Sequence, residues 1–192
     1  MPVGICRRPS RRATVAGMTT LPITRTTVSR WLERTAQAVP LLVLPSGLWR
    51  IALGLGVPVG FTGELAEVFA APGWITAYVV VLSLLAEGAA LLALGLVRPW
   101  GEVVPRWVPR IGGRVVPVAA AVVPAALGVV VLAVGSVITV ATWYGPQNMG
   151  DPDAPQGLAG AVMTACYAPQ LLWAPLLAVL TWAYFRRRTR AS

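Results

Sequence analysis

The sequence predicts an all-α fold: a polytopic membrane protein with four transmembrane helices in an antiparallel bundle and short interfacial helices. Three observations lead to this prediction. Hydrophobic residues make up 56% of the 192 residues and charged residues only 12%, whereas a soluble domain carries roughly a quarter charged residues. The apolar residues are concentrated in four long stretches, and all arginines except Arg50 lie before the first stretch, between the second and third, or after the fourth.

Each apolar stretch is long enough to be a membrane span, because ~20 apolar residues cross a ~30 Å hydrocarbon layer. Pro40, Pro45 and Arg50 interrupt the first stretch. Glu87 is the one charge in the second, and the third has none. The predicted spans cover residues 39–59, 74–97, 115–142 and 158–185, so that residues 39–185 form a four-helix membrane domain.

The distribution of arginine predicts the orientation. All 16 basic residues are arginines: seven precede the first span, four lie between the second and third, four follow the fourth, and Arg50 is within the first. The loops 60–73 and 143–157 have none. Because basic loops stay in the cytoplasm, we expect a multi-pass protein of the cell membrane with both termini cytoplasmic. The net charge of +9 is then explained by anionic lipids at the cytoplasmic face, and no nucleic-acid partner is expected.

The segments outside the spans have their own patterns. Residues 1–24 are rich in arginine and poor in core-forming residues, which predicts a disordered basic cytoplasmic tail, with translation from Met18 as an alternative start. Residues 25–38 have a helical period that predicts an interfacial helix leading into the first span. A short helix capped by Thr62 is predicted in the first outer loop. Residues 186–192 form a second basic cytoplasmic tail.

The loop between the second and third spans reads RPWGEVVPRWVPRIGGR and combines arginines with tryptophans. Arginines beside a membrane attract anionic headgroups, and tryptophan rings favour the interface. We therefore expect lipid headgroup contacts from Arg98, Trp100, Arg106, Trp107, Arg110 and Arg114.

The sequence also predicts a polar cluster inside the bundle. Arg50 lies 11 residues from residue 39, and Glu87 lies 10 residues from residue 97, so at ~1.5 Å per residue both are roughly 15–16 Å from the cytoplasmic ends of their spans. Burying two lone charges is least costly when they pair, which predicts an Arg50–Glu87 ion pair. Gln170, also near the middle, and Tyr167, one turn further out, are expected to satisfy leftover hydrogen-bonding groups.

Three interpretations of this cluster stay open. It is a buried staple that determines which helices meet, or a site for a proton, an ion or a small ligand. In the third, the first helix starts only after Pro45 and Arg50 reaches the inner interface, so that no pair forms.

Several kinds of site are excluded or unexpected. The chain has no histidine, and its two cysteines, Cys6 and Cys166, are far apart in the predicted topology. The usual ligand patterns for zinc, haem and iron–sulfur clusters are therefore missing, and no metal or cofactor is expected. Hydrolases built on Ser–His–Asp or Cys–His groups are excluded by the lack of histidine.

Several short motifs lie between residues 41 and 130: Leu48-Trp49-Arg50, Gly54-x-Gly56, Ala86-Glu87-Gly88, Val97-Arg98-Pro99-Trp100-Gly101-Glu102 and Gly112-Gly113-Arg114. Through them this stretch resembles a group of uncharacterised four-span membrane proteins of high-GC actinobacteria, and the resemblance implies no function. Over the first two spans only, Arg50, Glu87-Gly88 and Gly95-Leu96-Val97-Arg98 give a looser similarity to DoxX-like four-helix membrane proteins, although the interval from the arginine to the glutamate is short for that family. That similarity would imply a membrane component of a redox system.

Three functions are compatible with these observations. The first is a non-enzymatic integral membrane protein, either an accessory subunit of a membrane partner or a small carrier acting as a homodimer. The second is a redox or lipid-modifying subunit, for which Cys166, Tyr167 and Glu87 are the only candidate groups. The third is a structural or partner-binding membrane protein that acts through its basic tails.

Overall fold

The computed structural model describes residues 28–110, 112–146 and 148–190. Within this part the chain is helical, apart from turns and a single bridge between Val103 and Val115. Four helical segments are long and apolar enough to cross a membrane: Arg30–Gly54, Trp74–Leu96, Val118–Thr142 and Gly157–Arg190. The predicted all-α class with four such segments is confirmed. The predicted tail 1–24 lies outside the described residues.

The first long helix, α1 (Arg30–Gly54), is continuous. The expected interfacial helix 25–38 and the expected span 39–59 therefore share one helix in the described residues, and this helix ends at Gly54 rather than at residue 59. Its buried residues recur every three or four positions from Thr35 to Gly54, so a single face continues through Pro40 and Pro45. The helix start assumed in the third interpretation of Arg50 is wrong, because α1 begins at Arg30, well before Pro45.

The short helix α2 (Gly63–Val68) is capped by a residue of the 143–157 loop. The Thr62 side chain makes no capping hydrogen bond, contrary to the prediction. Instead, the backbone N–H of Glu64 donates to Asp153 Oδ2 at 3.0 Å, and the N–H of Thr62 donates to the Asp153 carbonyl at 3.0 Å. The carboxylate belongs to the 143–157 loop, and a cap so distant in sequence cannot be read from local spacing.

The remaining helices follow the predicted spans closely. Helix α3 (Trp74–Leu92) continues as a 3₁₀ turn, Ala93–Leu96, and α4 is Val118–Thr142. The last segment is α5 (Gly157–Tyr167), a 3₁₀ turn (Ala168–Leu172) and α6 (Trp173–Arg190). The 3₁₀ turn contains Pro169, which has no N–H for the α-helical hydrogen bond. It separates α5 from α6 where the sequence predicts a kink.

The core forms where α1, α3 and α6 meet. It contains Val39 and Val43 of α1, Ala90 of α3, and Leu180 and Tyr184 of α6. Helix α4 packs on α6 and has no buried residue. Large apolar side chains are exposed along every long helix, and most of the surface of α4 is apolar.

One close contact determines the register of α1 against α3. The Thr76 hydroxyl donates to the Gly54 carbonyl at 2.9 Å. A Cβ at position 54 would lie 2.7 Å from Cγ2 of Val79, so only glycine allows the two helices to approach this closely. Gly56, with φ of +80°, then turns the chain out of α1.

The end of α6 binds the loop between α3 and α4. Tyr184 Oη donates to the Gly101 carbonyl at 3.0 Å, and Arg187 Nη2 donates to the Leu96 carbonyl at 2.9 Å. Arg187 also forms an ion pair with Glu102 at 3.2 Å. Arg188 Nη2 donates to the Val116 carbonyl at 2.9 Å. The described part of the predicted tail 186–192 is therefore helical to Arg190, and two of its arginines hold the inner loop.

We expect Gly54→Leu to destabilise the protein, because a side chain there is forced against Val79. Overpacking of this kind costs about 1–3 kcal/mol. The measurement is the thermal unfolding midpoint of the detergent-purified protein by circular dichroism. Gly88→Leu on α3 is the matched control, since a Cβ at position 88 has nothing within 4 Å. Equal midpoints for the two variants would contradict the close contact.

Candidate functional site

Arg50 is the centre of a group of polar and aromatic side chains that we call the Arg50 cluster: Ser46, Arg50, Ser83, Glu87 and Tyr167. The guanidinium donates from Nε to Ser83 Oγ at 3.2 Å and from Nη2 to Ser46 Oγ at 3.4 Å. The Ser46 hydroxyl in turn donates to the Val43 carbonyl at 2.8 Å. Arg50 is only 9% exposed, and two neutral hydroxyls on two helices hold it in position.

Tyr167 supplies the aromatic side of the cluster. Its ring centroid lies 5.7 Å from Cζ of Arg50, within the range of a cation–π contact. Trp49 packs edge-on against the same ring, with the centroids 5.6 Å apart, and Trp143 lies 6.2 Å away on α4's side. Trp49 and Trp143 therefore pack against the Tyr167 ring, and that ring contacts the arginine.

The predicted Arg50–Glu87 ion pair is wrong. No nitrogen of Arg50 lies within 4.0 Å of a Glu87 oxygen. The reason is the register of α1 and α3. With Gly54 bonded to Thr76, Arg50 is opposite Ser83, whereas Glu87 is one turn further along α3 and reaches Gly47, where an added Cβ would be 3.5 Å from Oε1. Arg50 and Glu87 lie nearly the same number of residues from the predicted ends of their spans. Counting residues therefore did not reveal that the two side chains lie at different depths.

Glu87 and Gln170 are left incompletely satisfied. Glu87 Oε1 and Gln170 Oε1 are both enclosed, and neither has a hydrogen-bond partner among the described residues. Gln170 lies in the 3₁₀ turn beside Pro169. The structure thus brings Tyr167 to Arg50 as expected, but Gln170 makes no hydrogen bond to either. An enclosed oxygen without a donor is costly, and Glu87 and Gln170 each keep an acceptor for which the described residues supply no donor.

Ser46 and Ser83 are the functional-site residues that sequence reasoning missed. Ser46 precedes Arg50 by four residues and Ser83 precedes Glu87 by four, so each shares a helix face with the charge in its own span. Ser46 is fully buried and Ser83 is 2% exposed. The helical spacing was a usable signal, and combining it with the rule that buried charges need hydrogen bonds would have identified both.

A cavity of about 200 Å³ lies beside the cluster. Its lining comes from α4 and from the α5 segment, and it includes Trp143, Thr164 and Tyr167. Tyr167 lines this cavity and also contacts Arg50. Among the described residues, no three side chains of His, Cys, Asp or Glu are grouped to hold a metal ion.

The residues expected to contact lipid headgroups all lie on the surface of the inner loop. Trp107 is 82% exposed, and Trp100 is partly exposed with its ring packed over Gly95. The four arginines are also exposed: Arg98, Arg106, Arg110 and Arg114. Their exposure leaves them accessible to a headgroup, and the lipid contact itself stays a prediction.

We expect Ser83→Ala to destabilise the protein by about 1.5–3 kcal/mol, the usual worth of a hydrogen bond to a charged group. The serine hydroxyl is the acceptor for Arg50 Nε, and its loss leaves that N–H without a partner. Chemical unfolding in mild detergent measures the effect. Ser136→Ala, on the partly buried side of α4, is the control. A Ser83 variant as stable as the Ser136 variant would contradict the assignment.

Comparisons with protein-family models, with curated proteins and with solved structures find no match to this chain. The resemblance to actinobacterial four-span proteins and the looser similarity to DoxX-like proteins therefore stay predictions from the residues alone.

Proposed function

We propose that the protein is an integral membrane protein whose four long helices cross the bilayer in an antiparallel bundle, with both termini and the inner loop in the cytoplasm. The four apolar helices and the exposed apolar surface of α4 support insertion. The contacts between α1 and α3 support the antiparallel arrangement, because positions 54, 50 and 47 of α1 meet positions 76, 83 and 87 of α3 in that order. The arginine distribution supports the orientation.

This topology predicts opposite labelling of two equally exposed positions. Trp107 in the inner loop and Tyr144 in the outer loop are each 82% exposed. With Cys6 and Cys166 replaced by serine, Tyr144→Cys should react with a membrane-impermeant maleimide on intact cells. Trp107→Cys should react only after the membrane is opened. The reverse pattern would contradict the proposed orientation.

We propose that this membrane protein is a small, non-enzymatic carrier. Its Arg50 cluster would bind a small anion and a proton. The observation that carries the proposal is the separation of the two opposite charges. Arg50 is held by serine hydroxyls and a tyrosine ring, and Glu87 keeps an enclosed oxygen without a partner. Each charge is available to a separate partner.

The energetics favour a ligand over a purely structural role. A carboxylate oxygen enclosed without a hydrogen-bond donor is costly, and Glu87 has such an oxygen although its side chain is only partly buried. A staple would therefore be expected to bring the two charges into contact. Here an anion on Arg50 and a proton on Glu87 would neutralise both positions together, and membrane-embedded ionisable groups commonly serve such transport.

Proton uptake tests this function directly. Liposomes containing the full-length protein and a trapped pH indicator are given an inward proton gradient, with chloride, phosphate or lactate outside as the probe anion. We expect an anion-dependent acidification of the lumen. Glu87→Gln should slow it at least tenfold, because the variant cannot take up the proton, and Arg50→Gln should abolish the dependence on the anion.

Glu67→Gln is the matched control, since Glu67 is exposed on α2. It should retain the wild-type rate. Acidification at the same rate in the Glu87 and Glu67 variants would count against the proposal, and so would a rate no greater than that of empty liposomes with all three anions.

A second candidate function, an accessory subunit, is favoured by a different observation. Helix α4 has 25 residues and none of them is buried, so the surface of α4 that does not pack on α6 is available to a membrane partner. Transport by the purified chain alone would argue that no partner is required. The DoxX-like redox role stays a prediction from the resemblance, and a role of the N-terminal tail concerns residues outside the described part.

A further inference from the structure

An apolar groove of about 490 Å³ lies between α3 and α4. It exists because α4 packs on α6 and leaves a gap towards α3. Its volume is within the roughly 300–1,000 Å³ of typical ligand sites. The groove is separate from the Arg50 cluster, and its lining is almost entirely alanine, glycine and aliphatic side chains.

The shape of the groove fits an elongated ligand. Ala120, Pro124 and Gly128 line it at intervals of four residues, so its wall follows one face of α4. From Ala120 to Leu132 this wall is about 18 Å long at ~1.5 Å per residue. Half of a ~30 Å hydrocarbon layer is ~15 Å, so the groove has the length of one leaflet.

Two exposed arginines lie close in sequence to the residues at the inner end of the groove. Trp100 and Val116 line that end, and the exposed Arg98 and Arg114 each precede one of them by two residues. The one acidic residue of the inner loop, Glu102, is already engaged by Arg187 at 3.2 Å. The charge next to the groove therefore complements an anionic headgroup.

We propose that this groove binds one acyl chain of an anionic phospholipid from the cytoplasmic leaflet, with its phosphate held by Arg98 and Arg114. The headgroup provides the selectivity, because a lipid tail gains little by exchanging lipid neighbours for equally apolar side chains. The proposal rests on the proposed membrane insertion and orientation, and it does not depend on transport at the Arg50 cluster.

Native mass spectrometry of the full-length protein in detergent tests the site with two added lipids of identical acyl chains, phosphatidylglycerol and phosphatidylcholine. We expect the wild type to retain one phosphatidylglycerol in preference to phosphatidylcholine. Ala120→Phe fills the groove and should lower phosphatidylglycerol retention roughly tenfold. Ala126→Phe, at an exposed position of α4 that does not line the groove, is the matched control and should retain the lipid.

The double variant Arg98→Gln with Arg114→Gln distinguishes recognition of the headgroup from binding of the acyl chain. It should lower the preference for phosphatidylglycerol by roughly tenfold or more while retention of phosphatidylcholine stays unchanged. Equal retention of the two lipids by the wild type would overturn the proposal, as would equal losses in the two phenylalanine variants. A protein dimer that Ala120→Phe dissociates would also overturn it, by showing that a second copy occupies the groove. Maleimide labelling of Trp107→Cys and Tyr144→Cys in the pattern given above would show that the protein is inserted as proposed. A negative lipid result would then count against the groove and not against membrane insertion.

Discussion

The contact between Gly54 and Thr76 determines much of the rest of the structure. A helix with one apolar face can shift by one turn along its neighbour with little change in the apolar area it buries. The apolar pattern alone therefore does not determine the register of one helix against the other. The hydrogen bond from Thr76 to the Gly54 carbonyl, at a point where only glycine permits the approach, removes that freedom. It places Arg50 beside Ser83 and leaves Glu87 beside Gly47. The separation of the two charges follows from this register.

The global features were predictable from the sequence for simple physical reasons. Hydrophobic length identifies segments that can cross a membrane, and the described helices begin and end near the predicted limits for the second, third and fourth spans. The first span was the exception. Its prolines and its polar first turns suggested two elements, yet the buried face from Thr35 to Gly54 holds one helix together. Tertiary packing outweighed the local breaking signals.

The candidate site was predicted only in part, because side-chain partners depend on register and on distant loops. Arg50 and Tyr167 were correctly expected to lie near each other, whereas the partners of Arg50 proved to be Ser46 and Ser83. The cap of α2 shows the same limit, since Asp153 reaches it across 89 residues of sequence. Helical spacing reveals which residues share a face, but not which face of another helix will meet it.

The attachment of α6 to the inner loop has a consequence for the order of synthesis. Arg187 binds the Leu96 carbonyl across 91 residues, and Arg188 binds the Val116 carbonyl across 72. The ribosome therefore completes the first three long helices before the side chains that anchor the loop between α3 and α4 exist. During that interval the loop has its internal turns but not its anchors, and this end of the helical bundle reaches its final form only when the last turn of α6 emerges.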